Sequence, residues 1–234
     1  MTIASNLTAI RERITRAAER AGRSPADVAL MAVSKTFPAA SILEAYEAGQ
    51  RLFGENRVQD FGEKVGALVN LHDAEFHMIG HLQSNKTAKA AEIFHAVDSI
   101  DSAKLAERLN AAAEKLSKTI DVLIEINIGG EDAKSGLAPE SPELEAILTG
   151  APSWNHLRVR GLMTVPRFTD DPEGARPYFR QLRQLRDRLA ARHLPSVKVD
   201  VLSMGMSHDF EIAIEEGSTC VRIGTAIFGT RAKP

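Results

Sequence analysis

Short apolar runs alternate with longer amphipathic segments along the whole chain, the pattern of βα units around a parallel sheet. Eight runs stand out: Val28 to Lys35, Arg51 to Glu55, Phe76 to Gly80, His95 to Ile100, Asp121 to Ile128, Val159 to Val165, Val199 to Met206 and Cys220 to Phe228. Several are almost continuous Val, Ile, Leu and Met, as strands buried on both faces require. Between them lie helical patterns such as Ala103 to Leu116 and Gly174 to Arg192, the second with Phe179, Leu182, Leu185 and Leu189 on one stripe. Leu7, Ile10, Ile14, Ala17 and Ala18 repeat that spacing ahead of the first run and predict an extra N-terminal helix that covers the barrel. Ser102, and Asp170 with Asp171 before Pro172, suit helix starts; Gly49 and Gly217 suit helix ends. Eight strands with eight helical partners predict a single (β/α)8 TIM barrel over residues 1–234. An open doubly wound sheet fits the count less well, and neither a G-x-G-x-x-G after the first run nor a G-x-x-x-x-G-K-[ST] loop is present.

Composition narrows the partners. With 29 basic against 31 acidic side chains and a formal charge of -2, nothing draws the chain to nucleic acid or to an anionic membrane. The N-terminal segment is charged and lacks a signal-peptide core, and no uncharged apolar run is long enough to span a bilayer, so a soluble cytoplasmic protein is expected. Cys220 is the single cysteine, in the apolar run Thr219-Cys220-Val221, which predicts a buried thiol.

A barrel builds its site at the carboxyl ends of its strands, so the residues where each run stops carry the chemistry. The first stops at Lys35. Partial burial there depresses the ammonium pKa toward the nucleophilic amine that imine formation needs, although a lysine that snorkels to solvent fits the same position. The second stops at Gly54-Glu55-Asn56, where Asn56 suits either a ligand contact or a helix N-cap and Glu55 could pair with Lys35. His77 and His81 lie four apart on a strand that leads into a loop, where they do not share a face as metal ligands would; no metal is expected. The last two runs carry Ser207, Gly224 and Thr225, small and hydroxyl residues where barrels bind phosphate, and Arg222 faces inward on the eighth.

Strands one and eight are neighbours once the barrel closes. An imine-capable lysine then stands beside a phosphate cup, and one ligand with an aldehyde and a phosphate spans both. Pyridoxal 5'-phosphate (PLP) meets that description, and so does a phosphosugar held by a lysine-imine aldolase. A cation at Arg222 opposite a pyridine nitrogen would discourage its protonation and weaken the ring as an electron sink.

Seven motifs in order resemble the YggS/PROSC family of PLP homeostasis proteins: AVSKT from Ala32, FGENRVQD from Phe53, FHMIGHLQSNK from Phe76, NIGGEDAKSG from Asn127, RGLMTVP from Arg160, LSMGMSHDFEIAI from Leu202 and VRIGTAIFG from Val221. The resemblance runs from Thr8 to Gly229. It implies a barrel similar to the N-terminal domain of alanine racemase (PLP fold type III), with PLP as a Schiff base on Lys35. It places Asn56 beside the cofactor, Ser207, Gly224 and Thr225 at its phosphate, and Arg222 at its pyridine nitrogen. It further implies a monomer that buffers or carries PLP, with apo PLP enzymes as candidate recipients, and no established turnover.

A racemase-like PLP enzyme is the alternative. It needs a second acid or base opposite the lysine and, in alanine racemase, a second domain with a partner subunit, for which the five residues after Gly229 leave no room. Tyr46 and Tyr178 are the only tyrosines, and both fall in helical patterns.

Overall fold

The computed structural model describes residues 2–131 and 135–229. Eight parallel strands close into a barrel in sequence order: β1 Ala29–Val33, β2 Leu52–Glu55, β3 Glu75–Met78, β4 Ala96–Ile100, β5 Ile120–Glu125, β6 Leu157–Met163, β7 Val197–Ser203 and β8 Cys220–Ile223. A helix follows each strand: α2 Ala39–Glu47, α3 Val58–Lys64, α4 Thr87–Ile93, α5 Ala103–Lys115, α6 Pro142–Gly150, α7 Arg176–Ala190, α8 Phe210–Glu215 and α9 Thr225–Phe228. The extra helix is α1, Ile3–Arg20, and it buries the five apolar residues of its stripe. It lies along the helical wall near the β8–β1 seam, where the Asn6 amide donates to the Ile227 carbonyl (2.8 Å) and Arg13 pairs with Glu211 (3.2 Å).

The capping residues do what their chemistry dictates. Ser102 Oγ accepts from the Leu105 N–H and Asp171 Oδ1 from the Glu173 N–H, while Gly49 and Gly217 take φ values of 84° and 101° at the ends of α2 and α8. The expected strand boundaries overran the observed ones at several carboxyl ends. The eighth run is the clearest case: the strand stops at Ile223, and Thr225–Phe228 is a short helix. A continuous apolar run does not distinguish buried strand from buried helix, and here the chain turns at Gly224.

Alternate strand residues face opposite ways. Ala32, Phe53, Phe76, Val97 and Ile124 join the core between sheet and helices, where Phe61 packs tilted against Phe76 and stacks on Phe94 with ring centroids 4.7 and 4.9 Å apart. Met31, Gly54, His77, Asp98, Leu123 and Arg222 occupy the other parity and fill the barrel. The β5–β6 register advances from Val122↔Val159 to Leu123↔Gly161, which leaves Arg160 as an extra, bulged residue. No helix among the described residues is long and apolar enough to cross a membrane.

Candidate functional site

β1 pairs with β8 from Ala29↔Cys220 to Ala32↔Ile223, so Val33 comes level with Gly224, and a Cβ on Gly224 would stand 3.3 Å from the Val33 carbonyl oxygen. Lys35 lies two residues beyond Val33 on the parity that faces the barrel axis, half-buried in the turn after the strand. That turn is held from behind. The Ser34 N–H donates to the Gly54 carbonyl (3.0 Å) and its hydroxyl to Glu55 Oε1 (2.8 Å). Lys64 Nζ from α3 closes the network on Glu55 Oε1 (2.9 Å) and on the Ser34 carbonyl (3.2 Å). Glu55, a carboxylate that could pair with Lys35 by its place in the sequence, forms an ion pair with Lys64. Glu55 has the parity of Phe53 and looks out toward α3, where burial pushes its pKa up against the pull of Lys64 and Ser34. After Lys35, Thr36 adopts φ 68°, an outlier for a β-branched residue and the kind of strain that collects at functional sites.

Asn56 follows β2 with the same inward parity as Gly54. It is not a helix cap, since Arg57 holds the N-cap position of α3. Its Oδ1 is buried with no hydrogen-bond partner. Its backbone is fixed by contact with Gly80, where a Cβ would fall 2.4 Å from the Asn56 carbonyl oxygen.

Beyond β7 the chain turns tightly at Gly205 (φ 95°), and the Met206 N–H donates to Asp209 Oδ1 (2.7 Å), which leaves Ser207 half-buried in the turn before α8. The Arg222 N–H bonds the Gly205 carbonyl (3.0 Å), so this turn lies beside Gly224 and the exposed Thr225. Lys35, Ser207, Gly224 and Thr225 thus converge on the carboxyl-terminal mouth, with Asn56 one strand further round.

Arg222 is buried beneath them. Its Nη1 donates to Ser203 Oγ (2.6 Å) and its Nη2 to the Thr164 carbonyl (2.7 Å), and among the described residues it makes no ion pair with a carboxylate. Burial pulls its pKa down, opposed by Cys220, Asp98, Glu125 and Asp209; a guanidinium nevertheless stays charged in proteins. Burial likewise pushes the Cys220 thiol up to about 12, which makes it inert.

The two histidines part company. His81, in the loop after β3, pairs with Asp101 at 3.1 Å. His77 points into the barrel below the mouth, its Nδ1 3.1 Å from Asp98. Burial pulls its pKa down, but Asp98 and Glu75 outweigh burial and hold it at about 10 against an ordinary 6.5. Its contribution to stability is complete below pH 6.5 and lost as the pH rises to 10. Urea unfolding of the wild type between pH 6 and pH 10 is expected to show a decline on the order of a few kcal/mol that His77→Gln flattens.

Sequence reasoning missed Glu125, buried at the end of β5, where Oε1 accepts from Ser135 Oγ (3.0 Å) and Oε2 has no partner. Its signal was an acidic residue inside the apolar run after Asp121. Residues 132–134 of the motif that begins at Asn127 lie outside the described residues.

Residues 5–232 match the family model described as alanine racemase, N-terminal domain. A pyridoxal phosphate homeostasis protein of Aquifex aeolicus is 45% identical over 231 residues, covering 99% of each chain. The structure of PipY from Synechococcus elongatus PCC7942 with PLP bound superposes with a TM-score of 0.86 at 37% identity over 97% of this chain and 100% of that one. An alanine racemase of Clostridium difficile shares the fold at 16% identity, with a TM-score of 0.72 over 99% of this chain and 57% of its own length. The chain belongs to the alanine racemase N-terminal domain family and, within it, to the pyridoxal phosphate homeostasis proteins.

Proposed function

We propose that the chain binds PLP, holds it on Lys35 as a Schiff base, and serves intracellular PLP homeostasis as a buffer or carrier, with apo PLP enzymes as recipients. The observation that carries this reading is the register of β1 on β8, which sets the Lys35 turn beside the Gly224–Thr225 turn. The residues present fit the group. Asn56 has a buried side-chain oxygen in want of a donor, which its amide flip can exchange for a buried N–H in want of an acceptor. A side chain at Gly224 would press on β1, so glycine keeps that backbone open to a phosphate, with the hydroxyls of Ser207 and Thr225 nearby. The homeostasis-protein relatives and the PLP-bound PipY structure support the same assignment.

Bound there, PLP supplies an electrophilic carbonyl and an electron-withdrawing ring. The protein decides how far that ring is used. Arg222, fixed by Ser203 and Thr164, would set its cation against the pyridine nitrogen and discourage its protonation, while Lys35 and the phosphate contacts would hold the molecule and leave its electron-sink chemistry subdued. This favours a carrier over a racemase-like enzyme. The test is exchange of the α-proton of alanine in deuterated solvent. A carrier is expected to exchange it no faster than free PLP at equal concentration, and a saturable rate well above that would establish an enzyme.

A further inference from the structure

Two of the motif segments carry more polar side chains than the mouth uses. Beyond Asn56, the segment from Phe53 continues with Arg57, Gln59 and Asp60, and the segment from Phe76 ends with Gln83 and Lys86 in its last four residues. These residues line one cavity of about 480 Å³, between the turn after β2 and the loop after β3. The volume falls within the range of about 300–1,000 Å³ usual for small-molecule sites. Its two sides are fixed by backbone. Gly80 abuts the Asn56 backbone so closely that a Cβ would fall 2.9 Å from the Asn56 Cα. The Ile79 N–H donates to the Glu55 carbonyl (2.8 Å), the Ser99 hydroxyl to the Gly80 carbonyl (2.6 Å), and the Lys86 N–H to the Gln83 carbonyl (2.9 Å). A cleft held in this way needs little ordering to receive a ligand.

The cavity holds positive charge that the protein itself does not use. Arg57 and Lys86 come from different loops, and among the described residues neither side chain makes an ion pair or a hydrogen bond. His81 gives Nδ1 to Asp101 (3.1 Å) and keeps Nε2 uncommitted. Asp60 is the one carboxylate among the described lining residues, and in the first turn of α3 its charge answers the amino-terminal dipole of its own helix. The Gln59 and Gln83 amides add neutral donors, and the buried Val58 and Met78 add an apolar wall.

We propose that this cavity is a second ligand site, specific for a small phosphate monoester whose dianionic head bridges Arg57 and Lys86 while its organic body packs on Val58 and Met78. A phosphate has charge and oxygens enough for both cations: a planar guanidinium takes two oxygens at once, and an ammonium meets a third as a point charge. A monocarboxylate carries a single charge and leaves one cation unanswered. Of Lys35, Asn56, Ser207, Gly224 and Thr225, Asn56 alone lines this cavity. The site is therefore a neighbour of the mouth, and it does not depend on the PLP assignment.

Calorimetric titration with phenyl phosphate, benzoate and phenol tests the proposal, on full-length protein loaded with PLP, reduced with borohydride and dialysed so that a fixed group occupies the mouth. Phenyl phosphate is expected to bind saturably at one site, benzoate at least about tenfold more weakly, and phenol not at all. Arg57→Gln and Lys86→Gln are each expected to weaken phenyl phosphate binding at least about tenfold. Asp60→Asn, which removes the opposing charge, is expected to tighten it about threefold. Protein that takes up no PLP is titrated as purified, and the same variants still locate the site. No saturable binding of phenyl phosphate, equal binding of benzoate, weaker binding by Asp60→Asn, or binding untouched by Arg57→Gln and Lys86→Gln would overturn the proposal. Should a variant fail to fold, a crystal structure of the wild type with phenyl phosphate decides: density between Arg57 and Lys86 is expected, and density only at the Ser207 and Thr225 turns would be equally fatal.

Discussion

The Lys35→Ala protein is expected to fold and to lose all covalently held PLP. The lysine sits in a turn whose shape is secured by its neighbours: Ser34 bonds Gly54 and Glu55, and the Phe37 N–H returns to the Ser34 carbonyl at 3.1 Å. A side chain that is half-buried and sits outside the strand ladder is removed at a cost of roughly 1 kcal/mol or less. The turn around Ser207, Gly224 and Thr225 is untouched, so weak binding through the phosphate is expected to persist and to disappear on dialysis. Wild type and variant compared by visible absorbance after exhaustive dialysis, with melting curves alongside, check both halves. Added PLP is expected to raise the melting temperature of the wild type substantially and of the variant only slightly, because a ligand stabilises in proportion to the logarithm of its occupancy ratio. Retained absorbance in the dialysed variant would place the attachment elsewhere.

Gly161→Ala is expected to disrupt folding severely. The new Cβ would stand 1.9 Å from the Val201 carbonyl oxygen and 2.7 Å from its carbon. Both are backbone atoms in a paired strand, so no side chain can swing aside. The position is also where β6 meets β7 across a register shift, Val159↔Val197 being followed by Gly161↔Val201. Relief requires strands β6 and β7 to separate, with loss of their ladder and of the interior packing above Leu123. A cost above about 4 kcal/mol is expected, a large part of the roughly 5–15 kcal/mol that holds a domain together. The readout is the soluble fraction on expression and, if protein is recovered, a melting temperature lower by about 10 °C or more. A variant that melts like the wild type would show that this stretch of barrel is not built as described.

The fold was legible because a barrel strand is buried on both faces and its sequence says so. All eight runs became strands, in order, and the stripe from Leu7 to Ala18 became α1. What the runs concealed was where each strand stops. Met204, Met206 and Ile227 are as apolar as the strands before them, but their backbones bond into the turns of the mouth. The positions of the candidate site were legible for a related reason. Lys35, Asn56 and Gly224 keep the inward parity of Val33, Gly54 and Arg222, so a position at a strand end suffices to aim them at the axis.

Partners were harder to read than positions. Glu55 sits next to Asn56 and within two strands of Lys35, yet the same alternation turns it outward, where Lys64 on α3 waits. The acceptors of Arg222, Ser203 and Thr164, come from two other strands, and nothing local in the sequence couples them to it.

The most direct measurement is to reduce the wild-type protein with borohydride in the presence of PLP, digest it, and locate the pyridoxyl group by mass spectrometry. The result expected is one modified peptide, with the group on Lys35. A group on any other lysine, or a protein that takes up no PLP and yields no modified peptide, would contradict the account.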